Sequence, residues 1–128
     1  MEKEEKITFW KISANKDFEM MEFLYKEKRF SYALFFGQLG LEKLLKALYI
    51  KLKNESPPFI HDLVKLSSKC VLDLSKKDSD ILEEISGFNI NARYDDYKDN
   101  FYKIATKEYT NKYIKEIGRI KKWLEKQI

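Results

Sequence analysis

One cysteine and one histidine are all that this 128-residue chain offers to thiol and imidazole chemistry. A lone thiol, Cys70, closes no internal disulfide and builds no multi-thiolate metal site. Set beside Val71 and Leu72, it reads as a small buried hydrophobe in a reducing compartment. A lone imidazole, His61, excludes metal centres built on several histidines and any acid–base pair of two histidines within one chain. Glycine-rich phosphate loops, a Ser/Cys-His-Asp set and a clustered carboxylate metal site are all missing, and the adjacent Glu83 and Glu84 diverge around a helix. No apolar run approaches the roughly 20 residues that a bilayer demands. The start, Met1-Glu2-Lys3-Glu4-Glu5-Lys6, mixes both charge signs where a secretory signal has a basic start followed by an apolar stretch. A cytoplasmic protein without a membrane span is the expectation, and motifs alone indicate neither an enzyme nor a metal or cofactor.

What is present suits a folded domain. Hydrophobic residues make up 44% and charged residues 36%, which is neither a disordered nor a membrane composition, and the length fits one domain over residues 1–128. The net charge is +4, but 25 basic residues are interleaved with 21 acidic ones, as on a solvated surface of mixed sign. Lysine supplies nearly all the positive charge, so the rare arginines, Arg29, Arg93 and Arg119, hint at places where fork geometry matters.

Apolar residues recur at helical spacing and nowhere alternate as in strands, so the class is all-α. Trp10, Ala14, Phe18, Met21 and Leu24 share one face of a first helix ending near Lys28-Arg29. A second, from about Ser31 to Lys53, carries Leu34, Leu41, Leu44, Leu45, Leu48 and Leu52 with Phe35 and Phe36, and is apolar nearly all round, hence central. Ser56-Pro57-Pro58 stops it. A third helix starts around Asp62 and turns Leu63, Leu66 and Cys70 inward. Ser75-Lys76-Lys77-Asp78 resembles a capping box opening a fourth, with Ile81, Leu82 and Ile85 on its face and a fraying end near Gly87. From Asn89 to Ala105 the pattern dissolves into a polar, tyrosine-rich connection, and a last helix from about Lys107 buries Tyr113, Ile117, Ile120 and Leu124. The expected fold is an up-and-down four-helix bundle with an additional short helix. Gly37 and Gly40 weaken the second helix by about 1 kcal/mol each unless another helix, in the bundle or in a dimer mate, approaches closely there.

Three polar constellations are not required by a bundle core. Gln38, Glu42 and Lys46 lie one turn apart on one side of the central helix, either as an ordinary i,i+4 ladder or as a ledge for a ligand or partner. His61, just before Asp62, either fixes the turn after the prolines or faces a cleft as a group that titrates near neutrality. Ala92-Arg93-Tyr94-Asp95-Asp96-Tyr97 concentrates a guanidinium, phenols and carboxylates. Arg93 with Tyr94 suits a phosphate and a stacked base, unless Arg93 pairs with Asp95, Asp96 or Glu42 to pin the segment; either way Arg93 is expected to be partly buried.

Taken together, Trp10-x3-Ala14-x2-Asp17, Gln38-x3-Glu42-Lys43-x2-Lys46, His61-Asp62-Leu63 and Ala92-Arg93-Tyr94 resemble the HEPN family, the higher eukaryotes and prokaryotes nucleotide-binding domain, from Trp10 to the last helix. The resemblance implies a helical bundle, commonly a homodimer, often paired with a minimal nucleotidyltransferase in a two-component toxin–antitoxin arrangement. Many members are toxins that cut RNA without metal, using an arginine, an adjacent polar residue and a histidine four to six residues after the arginine. Here Tyr-Asp-Asp-Tyr-Lys-Asp-Asn-Phe follows Arg93, so that histidine is missing. The favoured expectation is a non-catalytic member binding a nucleotide or a nucleotidyltransferase partner, with Arg93 and Lys46 on phosphate, Tyr94 on a base, and Gln38, Glu42 and His61 completing the site. The alternatives are a metal-independent ribonuclease acting on RNA through Arg93 and His61, and a purely structural homodimer.

Overall fold

The computed structural model describes residues 2–128, which form six α-helices: α1 (Lys3–Lys26), α2 (Phe30–Lys53), α3 (Leu63–Lys69), α4 (Lys76–Arg93), α5 (Asp95–Ile104) and α6 (Lys107–Glu125). Among the described residues there is no strand, and no helix is long and apolar enough to cross a membrane. Helices α1, α2, α4 and α6 are the four long rods of the bundle.

Local chemistry explains the starts. Asp62 accepts from the backbone N–H groups of Val64 and Lys65 at 3.0 and 3.1 Å, Ser75 from Asp78 at 3.1 Å and Thr106 from Tyr109 at 3.2 Å. Each bond satisfies a donor that the first turn of a helix leaves free. Helix α2 stops at Asn54, whose φ of 53° is the left-handed cap that asparagine tolerates.

As its apolar circumference requires, α2 is the axis of the bundle and packs against all five other helices. Leu34, Leu41, Leu44, Leu45 and Leu48 are buried in one cluster with Phe18, Leu82, Ile85, Phe88, Ile117 and Leu124. Leu52 departs from the expected stripe: it sits in the last turn of α2 on the rim of an open cavity beside Val71 and Leu72, and is exposed. Cys70 is buried as expected, with its thiol directed at the Leu45 carbonyl oxygen at 3.5 Å and its pKa pushed up to about 11 by that burial.

Two boundaries differ from the sequence expectation. Gly87 does not end α4, which continues to Arg93, and most of the segment from Asn89 to Ala105 is helical rather than an irregular connection. Only Phe101 of α5 is buried, stacked near Phe88 with ring centroids 5.3 Å apart, so α5 offers little apolar periodicity to read. Arg93 therefore closes a helix instead of sitting in a loop.

The two glycines of α2 are explained within the bundle. A Cβ on Gly40 would lie 2.5 Å from the Phe18 ring, and one on Gly37 would lie 2.6 Å from Ile117 Cδ1. Gly40 thus seats α1 against α2, whereas Gly118 of α6 faces open space. Gly40→Ala is expected to destabilise the fold by about 1–3 kcal/mol through overpacking, while Gly118→Ala stabilises it by about 0.5–1 kcal/mol through helix propensity. Urea midpoints at constant slope measure both, and a neutral Gly40→Ala would refute the close-approach account.

Candidate functional site

The polar stripe of α2 lies in the interior. Gln38, Glu42 and Lys46 are 0%, 5% and 6% exposed, which an ordinary solvated ladder would not be. Glu42 is the hub. Its Oε1 accepts from Gln38 Nε2 at 3.0 Å and from His61 Nδ1 at 2.9 Å, and its Oε2 accepts from Lys46 Nζ at 3.0 Å. A buried carboxylate with one cation and two further donors is neutralised and fully satisfied.

The network extends in two directions. Gln38 Nε2 also donates to the His61 carbonyl oxygen at 3.2 Å, so the loop after the prolines is tied to α2 through both the backbone and the imidazole of His61. Gln38 Oε1 accepts from Asn89 Nδ2 at 3.2 Å, and Asn89 Oδ1 accepts from Arg93 Nη1 at 3.3 Å. On the opposite side, the Lys46 ammonium lies 5.5 Å from the Trp10 ring centroid, within cation–π range. A continuous polar path thus runs from Arg93 on α4 through Asn89, Gln38 and Glu42 to His61, and on through Lys46 to α1.

Its ends face solvent. The His61 side chain is 57% exposed. With Nδ1 engaged by Glu42, its Nε2 is the ring nitrogen left to meet a ligand. Arg93 is exposed rather than partly buried, and it pairs with none of Asp95, Asp96 or Glu42; the single side-chain contact to Asn89 leaves most of its donors free. Tyr94, also exposed, holds its ring 6.0 Å from the Arg93 guanidinium. Lys46 is buried, with its ammonium held between Glu42 and the Trp10 ring, where it serves as the counter-ion of the buried Glu42 carboxylate.

Sequence reasoning missed Asn89, which is 3% exposed and joins the α2 ledge to Arg93. A signal was present, since Asn89 falls on the buried stripe of Leu82, Ile85 and Ala92 and lies one turn before Arg93. Asp17 is likewise held by Lys43, with Nζ 2.8 Å from Oδ2, fastening α1 to α2 beside the hub. Among the described residues no group of three or more histidine, cysteine or acidic side chains is arranged to hold a metal ion.

The family model described as HEPN domain matches residues 7–127, nearly the whole chain. Neither the curated proteins nor the solved structures with which the sequence was compared gave a match.

The hub generates a stability prediction. Glu42→Leu strands Lys46 as a buried unpaired cation and is expected to cost about 3–5 kcal/mol, whereas the double change Glu42→Leu with Lys46→Met recovers much of that loss. A denaturant series on both variants measures it; equal losses in the single and double variants would show that the ion pair is not what Glu42 supports.

Proposed function

The chain belongs to the HEPN domain family, and from that premise we propose that it is a non-catalytic member that binds a nucleotide through Arg93 and Tyr94, with His61 at the other exposed end of the same hydrogen-bond network. The observation that carries this reading is the contrast along one network: Gln38, Glu42 and Asn89 are buried and saturated, while Arg93 is exposed with free donors. A guanidinium with unused donors offers bidentate geometry to a phosphate, and the adjacent phenol ring offers a face for base stacking. The buried members are positioning residues: Asn89 steadies Arg93, and Gln38 with Glu42 fixes the His61 loop. The partner implied by the family resemblance, a minimal nucleotidyltransferase in a cytoplasmic toxin–antitoxin pair, would be engaged by the same exposed residues.

The Glu42–His61 pair supports a second reading. A carboxylate on Nδ1 fixes the imidazole tautomer and leaves Nε2 able to take a proton, while Arg93 would stabilise charge on a phosphorane, the two roles required of a metal-independent ribonuclease. Against it stands the absence of a histidine within four to six residues after Arg93.

Calorimetric titration with ATP and GTP tests the first reading. Wild type is expected to bind saturably, and Arg93→Ala to weaken binding by about 10- to 100-fold, the loss of a charge-assisted hydrogen-bond pair. Its folding stability should change by less than about 0.5 kcal/mol, because the side chain is exposed. No saturable binding by wild type would refute the reading. Cleavage of RNA in chelator, lost in His61→Ala, would instead establish the ribonuclease.

A further inference from the structure

A cavity of about 280 Å³ lies where the start of α1 faces the second half of α2 and the loop that follows it. Its walls are mostly rings: Phe9 and Trp10 from α1, Pro57 and Phe59 from the loop, with Ile50 of α2 among them. Trp10 is fixed from behind, packing on the buried cluster of Ile7, Ala47 and Ile50 and holding the Lys46 ammonium near its face. Phe9 meets it nearly at a right angle, with an interplanar angle of 83° and centroids 5.9 Å apart, so a flat molecule lying on one ring meets the other edge-on. Phe59 is the opposite case: its ring is wholly exposed, although Pro57 and Pro58 restrict the backbone that presents it. A single exposed phenylalanine needs no explanation, but one on the wall of a preformed apolar cavity is surface that an occupant covers.

The charge of the lining is of one sign. Lys6 and Lys46 line the cavity, and no carboxylate does. The Lys46 charge is already taken by Glu42, with Nζ 3.0 Å from Oε2. Lys6 is exposed and, among the described residues, has no acidic side chain within salt-bridge distance. Its ammonium is therefore the charge left for an occupant, and the Ser56 hydroxyl on the loop side adds a hydrogen-bond donor. The volume falls at the small end of the range for ligand pockets, about 300–1,000 Å³, which suits one or two fused rings rather than a nucleoside polyphosphate.

We propose that this cavity is a binding site for a small, flat aromatic carboxylate, with its ring against Trp10 and Phe59 and its carboxylate on Lys6. Lys46 is a positioning residue here, acting through Trp10. Neither Arg93, Tyr94 nor His61 lines the cavity, so the site is separate from the one proposed for a nucleotide.

An amide-resolved NMR titration of the whole chain, with indole-3-acetate as the probe and indole-3-acetamide as its uncharged counterpart, tests this. A ligand of this size is expected to bind with a dissociation constant of about 1 mM or below, moving the signals of the Trp10 indole N–H, Ile50 and Phe59 saturably. The acid should bind about 3- to 5-fold more tightly than the amide, the worth of one exposed ion pair. Lys6→Ala should abolish that preference and leave binding of the amide as it was. Phe59→Ala should weaken both ligands by about 3- to 10-fold through the lost ring contact. Both positions are exposed, so both variants should fold, which the dispersion of their spectra verifies. ATP should not displace the probe. Shifts that fail to saturate or that gather elsewhere, equal affinity for acid and amide in wild type, a preference that survives Lys6→Ala, undiminished binding in Phe59→Ala, or displacement by ATP would each overturn the proposal.

Discussion

A carboxylate inside a helical bundle has to be neutralised and saturated with donors, and the polar half of this structure follows from meeting that demand for Glu42. Lys46, one turn later on α2, supplies the charge. Gln38, one turn earlier, and His61 supply the remaining hydrogen bonds. Since Gln38 must satisfy its own amide, it reaches the His61 backbone and Asn89, and the loop and α4 become registered on α2 by the same requirement. Buried ion pairs of this kind often add little net stability over a well-packed apolar core; what this one does is register the loop and α4 on α2.

Electrostatic roles divide accordingly. A cation already paired with a buried carboxylate contributes little further attraction to an incoming anion, whereas Arg93 keeps nearly all of its charge and donors for one. Distance from the hub separates the two: Lys46 lies beside the acid, and Arg93 two amide side chains away from it. Amides transmit position without transmitting charge. A guanidinium held through Asn89 and Gln38 is therefore oriented without being neutralised.

Much of this was legible in the sequence, for identifiable reasons. The caps at Asp62 and Ser75 and the leucine stripe of α2 are local signals, and the bundle reproduces them. The i,i+4 spacing of Gln38, Glu42 and Lys46 announced a shared face, though not its burial, which depends on the loop that folds over it. Helix α5 was hidden because only Phe101 turns inward and its tyrosines face water, so its helicity follows from packing on α4 rather than from pattern. The exposure of Arg93 was equally hidden, since it depends on a side-chain direction at a helix end that no spacing rule determines. Asn89 was readable in principle as a polar interruption of an apolar stripe.

The contact between Lys46 and Trp10 has an optical consequence. An ammonium 5.5 Å from an indole ring, and its partner carboxylate, set the local electric field at one of only two tryptophans in the chain. The direction of that field is set by how Lys46 is shared between the ring and Glu42. A displacement of Lys46 between the ring and Glu42 would alter that field and shift the colour of the Trp10 emission. The fold has in effect placed a fluorophore beside the buried ion pair at the centre of the network.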